Sequence, residues 1–280
     1  MRAFTDSGGA TPNIHLYGDP STKNLKLDEI ASYLKEKLGE IPVDVRKPFI
    51  RASSEDGADI LARKLAETKV RDLTNPNTRL EPLPGEVEFE RKLLQDPSLR
   101  LIGVFYDGFR LQAVFRELLP MDEFSVKHAH IIFTNRLFGT FDEGDRRYHA
   151  RVSVYGFPSI ISTTGIVEAP AKPREFYLLK QQYAALGTGV PLEVLKEKFS
   201  GRFIDYDDER LTEVMKGYVM QAIFFHLTLE PFCNDKRCRF YNAHWQEEVL
   251  GAQLKLPEFC EKHERELEQL RYRFQVTPVP

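Results

Sequence analysis

Three cysteines and one histidine form the most chemically suggestive pattern in the chain. Cys233 and Cys238 frame the hexapeptide CNDKRC, and Cys260 and His263 follow in CEKH after a gap of 21 residues. Two close pairs of soft ligands, each on its own turn, suit a tetrahedral Cys₃His zinc site. A structural site of that kind contributes folding free energy directly, on the order of 10 kcal/mol in small zinc modules. The competing reading is three unrelated buried thiols, since a free cysteine is often a small core hydrophobe. The first 232 residues contain no cysteine, which makes chance clustering the weaker account. The expectation is one structural Zn²⁺ held by Cys233, Cys238, Cys260 and His263.

Other residues are weaker candidates. His226 lies on the apolar stripe of a long helix, where a core imidazole bonded to a neighbour is the simpler reading. His128 and His130 stand at i and i+2 and share a face if they lie on a strand, so they are a possible metal pair or ordinary half-exposed polar positions. His149 belongs to the basic run RRYHAR, which reads as a solvated strand face. Ser162-Thr163-Thr164-Gly165 follows an apolar strand and either lines a cleft or ends the strand with Gly165 at a bulge. Glu230, His244 and Glu247 are the polar groups nearest the helix end, although Glu247 and Glu248 also suit a solvated helix start. No phosphate-binding glycine loop, dinucleotide fingerprint or Ser/His/Asp signature is present.

The elements that must position these residues follow from hydrophobic period. Residues 1–12 read as a disordered tail. Strands are predicted at 13–18 and 43–49 around a helix over 25–38, a parallel pair with a helical crossover. A second helix is predicted over 59–70, then a Pro- and Asn-rich loop over 71–86. The Asp107-Gly108 pair between two apolar runs, 100–106 and 109–117, predicts a β-hairpin. Further strands are expected at 129–141, 148–155 and 159–168. The remainder reads as helices over 174–185, 191–199, 246–254 and 260–274, with one long helix capped by Asp207 or Asp208 and running to about Leu229. This order predicts an α+β fold with a mixed sheet. It divides into a mixed-sheet part over 13–206 and a helical, zinc-pinned subregion over 207–280 of a single domain.

Composition narrows function. The chain has 280 residues, is 42% hydrophobic and carries a net charge of −3. A sizeable core is available, and the charge balance does not suggest a polyanion partner. Reduced, ligating thiols fit a cytoplasmic protein. The opening residues do not form a basic-then-apolar leader, and the apolar stretch over 219–229 is too short and too polar to span a bilayer. Neither nucleic acid nor membrane is the expected partner.

The cysteine pattern resembles that of the archaemetzincins, zinc metallopeptidases whose active-site helix carries HExxHxxGxxH followed at once by C-x₄-C and later by F-C-x₂-C. Phe232 precedes Cys233, the C-x₄-C spacing holds, and Phe259-Cys260-Glu261-Lys262-His263 is similar to the closing motif with its last Cys exchanged for His. Phe240-Tyr241-Asn242 and Glu247-Glu248-Val249 resemble the linking stretch. Ile131-Ile132-Phe133 and Ile160-Ile161-Ser162 are similar to the family's substrate-side strands. Asn242–Glu248 also resembles a prokaryotic family grouped with the metallopeptidases. The resemblance implies a zincin-like fold, a structural zinc and peptidase ancestry. Counted back from Cys233, however, the three histidine positions fall at Ala222, His226 and Phe232, the general-base position at Ile223, the glycine at Leu229 and the expected methionine at Phe240. Only His226 matches. A zinc-water mechanism needs three ligands and a base, so the resemblance implies a scaffold without standard peptidase chemistry, inactive or peptide-binding. The alternatives are a working hydrolase with relocated ligands, His226 with His128, His130 or His244, and a zinc-knuckle module with a weak basic patch at Lys236, Arg237 and Arg239.

Overall fold

The computed structural model describes residues 11–50, 55–101 and 103–276. The expected tail lies outside these except for Thr11 and Pro12, which are buried and lead into the first strand. In chain order the elements begin with β1 (Asn13–Tyr17), α1 (Leu27–Leu38), β2 (Val43–Arg46), α2 (Glu55–Glu67), α3 (Pro84–Gln95), β3 (Phe105–Asp107) and α4 (Gly108–Glu117). A 3₁₀ turn at Met121–Glu123 follows, then β4 (His128–Thr134), β5 (Leu137–Asp142), β6 (Arg147–Arg151), β7 (Ser153–Val154), β8 (Ser159–Ser162) and α5 (Gly165–Glu168). The chain closes with α6 (Arg174–Ala185), α7 (Leu192–Phe199), α8 (Leu211–Thr228), α9 (Gln246–Gln253) and α10 (Glu261–Val276).

The main sheet has the order β2-β1-β4-β8-β7, in which only β7 runs antiparallel. A second sheet has the order β3-β5-β6, with β3 and β5 parallel and β5 and β6 antiparallel. The mixed-sheet α+β architecture expected from sequence is therefore present. Alternation along β1 and β4 gives the main sheet two distinct faces. Ile14, Leu16, Ala129, Ile131 and Phe133 pack against α1, α8 and α10 in the larger core. Tyr17 and Ile132 point the other way, into a second core with Leu61 and Leu65 of α2 and Leu111 and Phe115 of α4. The larger core is continuous from Ile14 to Phe274, so the late helices complete the layer begun by the first strand.

Several sequence expectations need correction. The hairpin at Asp107-Gly108 is a strand-to-helix junction. The Asp107 carboxylate accepts the backbone N–H groups of Phe109 and Arg110 at 3.0 and 3.1 Å, so it caps α4. Leu111, Val114 and Phe115 then share one helical face, and that 3.6-residue period outweighs the turn signal. The strand expected over 129–141 breaks at Asn135-Arg136, and its halves enter different sheets. The strand over 148–155 likewise divides into β6 and β7. In the segment 159–168, β8 ends at Ser162 and Gly165 opens α5. A side chain at Gly165 would place its Cβ 2.5 Å from the Arg151 carbonyl oxygen, so close backbone approach explains this glycine and no bulge is involved.

The expectation of a loop over 71–86 misses the start of α3. Its first turn carries Pro84, and the Glu86 carboxylate takes the Leu83 N–H at 2.9 Å. From α3, the fully buried Glu90 receives Arg136 at 2.9 Å, Lys69 at 3.1 Å and the Tyr106 hydroxyl at 2.7 Å. Burial pushes its pKa up, but Arg136, Tyr106 and Lys69 more than offset that and leave the carboxyl below its ordinary range. The long helix begins at Leu211, one turn later than expected, because the Asp208 carboxylate holds the Arg210 N–H and guanidinium ahead of it. Among the described residues no helix is long and apolar enough to cross a membrane.

Two substitutions test these junctions. Asp107→Ala should lower stability by about 1–2 kcal/mol through loss of the cap and of the 2.6 Å bond from the Tyr148 hydroxyl, while Asp107→Asn retains most of it. Leu229 ends α8 in the left-handed region (φ 61°) with its side chain 73% exposed. Leu229→Gly should therefore raise stability by about 0.5–1 kcal/mol, the relief of left-handed strain less the added chain entropy. Urea midpoints check both, and a lower midpoint for Leu229→Gly would mean that the leucine side chain itself holds the turn.

Candidate metal centre and cleft

The sequence-predicted ligands converge. Cys233 and Cys238 sit on the loop that follows α8, Cys260 immediately precedes α10, and His263 lies in its first turn. One ligand atom from each of the four lies within 4.8 Å of the others. The Cys233 and Cys260 sulfurs are 3.8 Å apart, and His263 Nδ1 lies 3.5 Å from Cys238 Sγ and 3.1 Å from Cys260 Sγ. Zn–S bonds of about 2.3 Å and Zn–N bonds of about 2.0–2.1 Å at tetrahedral angles require edges of roughly 3.8 and 3.5 Å. The donor set and its spacing therefore fit zinc, with Nδ1 as the imidazole ligand atom.

The surroundings hold these groups in place. The Cys233 N–H donates to the Phe240 carbonyl and the Tyr241 N–H to the Cys238 carbonyl, both at 2.8 Å, which closes the loop on itself. The Asp235 N–H donates to Cys233 Sγ at 3.3 Å. Cys260 stands at the N-terminus of α10, immediately ahead of Glu261. His263 Nε2 is 3.6 Å from a Glu266 oxygen, a carboxylate on the side of the imidazole away from the sulfurs. Phe240, where the resemblance places a methionine, is fully buried and meets the His263 ring edge-on at 4.8 Å. Burial pushes the Cys238 thiol up to about 12 and raises Cys233, while burial and then Lys262 push His263 down to about 4. Metal binding must therefore release thiol protons, whereas the imidazole is neutral and available above mildly acidic pH.

The positions that the resemblance aligns with the catalytic set have these surroundings. Ala222 and Ile223 are 1% and 0% exposed and belong to the larger core. Phe232 is half-exposed and its ring lies 5.9 Å from that of Tyr155. His226 is partly buried, and its Nε2–H donates to the Val126 carbonyl at 2.8 Å. The side carrying Ala222, His226 and Leu229 thus runs from the core to solvent. Beside it lies a cleft of about 520 Å³ walled by Tyr155, Tyr218, Phe225, Phe232 and His244 and edged by Arg151–Val154. The Tyr155 hydroxyl donates to Gln221 at 2.5 Å, and Gln221 in turn donates to the Arg239 carbonyl at 2.9 Å, linking cleft wall, α8 and cysteine loop. The sequence analysis did not single out Tyr155, Gln221 or Phe225; the i, i+4 spacing of Gln221 and Phe225 on α8 was the available signal.

The other candidates are placed elsewhere. His128 and His130 project from the sheet face away from α8, so His226 does not join them. His149 lies 2.9 Å from Asp145. Glu230 is exposed, and Glu247 pairs with Arg202 at 2.8 Å. The Ser162, Thr163 and Thr164 hydroxyls bond the carbonyls of Arg136, Thr134 and Asn135 and thereby stitch β8 to the end of β4. Lys236, Arg237 and Arg239 each face a carboxylate, Glu248, Asp235 and Glu213 respectively.

Burial lowers the His226 pKa, and the Val126 carbonyl only partly restores it. The unfolded chain then takes up the proton near pH 6.5 while the folded chain remains neutral. Stability contributed by His226 is complete above that pH and declines as pH falls below it. Relative to His226→Gln, the wild type should lose stability between pH 7 and pH 5, read as urea midpoints at each pH. A difference independent of pH would exclude this imidazole as the titrating group.

No curated protein matches the chain. Among solved structures, a zinc-dependent peptidase from Methanocorpusculum labreanum aligns at 12% identity over 91% of this chain and 100% of its own, with a TM-score of 0.41. Archaemetzincin from Methanopyrus kandleri aligns at 13% identity over 95% and 97%, with a TM-score of 0.42. Residues 10–270, a span that takes in both sheets, the long helix and the cysteine–histidine cluster, match a single family description. The chain belongs to the probable metallopeptidase family (DUF6775).

Proposed function

We propose that this chain is a zinc-held peptide-binding member of its metallopeptidase family that does not hydrolyse peptides by the standard zinc-water route. Cys233, Cys238, Cys260 and His263 hold one structural zinc, which ties the end of α8 to the start of α10. The observation that carries the reading is the aligned catalytic set. Ala222 and Ile223 are core side chains and Phe232 is an aromatic wall, so two ligands and the base are replaced by groups that can neither coordinate a metal nor accept a proton. What remains beside α8 is a cleft with aromatic walls next to β7, the end strand of the main sheet, the combination that accepts an extended peptide. Pairing of Lys236, Arg237 and Arg239 with carboxylates supports a peptide over a nucleic acid as the occupant.

Metal analysis tests the zinc. Cys238→Ser should lose one equivalent of zinc and roughly 3 kcal/mol or more of stability, about 6–12 °C in Tm for a chain of this size. Full zinc content at an unchanged Tm would remove the site. Unstructured peptides test the cleft. Trp245, the single tryptophan, adjoins the cleft-lining His244, so its fluorescence should respond to bound peptide. Zinc-loaded protein should bind without cutting, and Phe232→Ala should weaken the fluorescence response. Chelator-sensitive cleavage that disappears in His226→Ala would replace this reading with a working hydrolase.

A further inference from the structure

The sheet face away from α8 gathers three histidines from two strands. The β1–β4 register sets His15 opposite His130 and Asn13 opposite His128. The His15 ring stacks on His130 at 4.8 Å and meets His128 edge to edge, centroids 5.2 Å apart, through a 2.9 Å hydrogen bond between His15 Nε2 and His128 Nδ1. Glu123, from the 3₁₀ turn before β4, brings a carboxylate oxygen within 4.8 Å of both ligand nitrogens. We propose that His15, His128 and Glu123 bind a divalent first-row transition-metal ion at a site separate from the cysteine–histidine cluster.

The donor set suits an ion. His15 Nε2 and His128 Nδ1 meet edge to edge in one 2.9 Å hydrogen bond, with ring centroids 5.2 Å apart, and an ion would take the place of the shared proton, with both rings turning toward Glu123. Two imidazoles and one carboxylate with free positions are a donor set for zinc or ferrous iron. His128 and Glu123 are only half-buried, which leaves one side of the site open to water.

The groups behind the ligands are those a metal site needs. His15 Nδ1 is 3.5 Å from Asp44 Oδ2, a carboxylate behind the imidazole. Both Glu123 oxygens accept from the Arg46 guanidinium, at 2.7 and 2.6 Å, and His130 Nε2 stands 3.7 Å from one of them. His130 is itself fixed through Nδ1 by the Tyr17 hydroxyl at 3.0 Å. A carboxylate has lone pairs enough to serve both Arg46 and an ion. Among the side chains around the imidazoles, Glu123 and Asp44 against Arg46 leave one negative charge, which favours a dication. Two buried ring nitrogens here, His15 Nδ1 and His130 Nε2, make no hydrogen bond, and a buried polar atom without a partner calls for a reason.

Cobalt titration tests the site, since thiolate-bound Co²⁺ absorbs strongly in the near-ultraviolet and cobalt held by nitrogen and oxygen does not. The wild type should take up two equivalents, one with the thiolate band and one with weak visible absorption only. His128→Gln and the double variant His15→Ala/His128→Gln should keep the first and lose the second. Asp44→Asn, at a side chain 54% exposed, should weaken the second about 10–100-fold. An intact thiolate band reports that each variant is folded. Saturation of the wild type at one thiolate-bound equivalent would reduce the histidines to a hydrogen-bonded pair and overturn the proposal, as would a second equivalent that survives in the double variant. Failure of the structural-zinc reading is distinct, because it would show as a missing thiolate band.

Discussion

The pairing register of β1 with β4 is the constraint on which the rest of the structure depends. These strands lie side by side in the main sheet, with Ile14 opposite Ala129 and Leu16 opposite Ile131. Because side chains alternate, one residue of slip would move every one of them to the opposite face. In the observed register the aliphatic side chains meet α1 and α8, and the imidazoles of His15 and His130 point to the other side. A slipped register would bury histidines under the long helix and expose isoleucines beside Glu123. The apolar face is thus what selects the register, and the polar clustering on the reverse face follows from it.

On the helix side the same logic reaches the chain's end. α8 is buried along most of its length because the sheet lies beneath it and α1 and α9 flank it, so its sequence is apolar nearly all round. The cysteine–histidine cluster begins past the end of α8, where the left-handed Leu229 turns the chain toward Cys233. The Phe224, Phe240 and Phe259 rings then pack successively, with centroid separations of 4.2 and 5.1 Å, and His263 lies against Phe240. The cluster therefore joins the core and does not hang from it as an appendage.

What could be read from sequence was whatever depends on short spacing. Cys233/Cys238 and Cys260/His263 were visible as pairs because each pair occupies one turn, and the first strand–helix–strand unit was visible because its period changes cleanly. What depends on competition between signals was misread. Asp107-Gly108 is an ideal hairpin turn and also an ideal helix start, and only the burial of Leu111 and Phe115 decides between them. α3 was hidden by the prolines before it, although Pro84 belongs to its first turn. What depends on long-range register was invisible. His15 and His128 are 113 residues apart, and nothing local to either predicts that their rings meet.

The antiparallel edge of the main sheet is only two residues long, Ser153 and Val154. An extended chain laid against so short an edge gains one or two backbone hydrogen bonds, together worth about 1–3 kcal/mol. Even millimolar affinity requires about 4 kcal/mol. Backbone pairing alone therefore cannot retain a guest here, and the difference must come from side chains packed against Tyr155, Phe225 and Phe232. On the proposed peptide-binding reading, such a groove would discriminate by residue type and favour guests with large apolar groups at alternate positions over those that merely adopt an extended shape. The shortness of β7 also leaves little exposed backbone for a second copy of the sheet to pair with, so the same two residues that limit affinity also protect the edge from self-association.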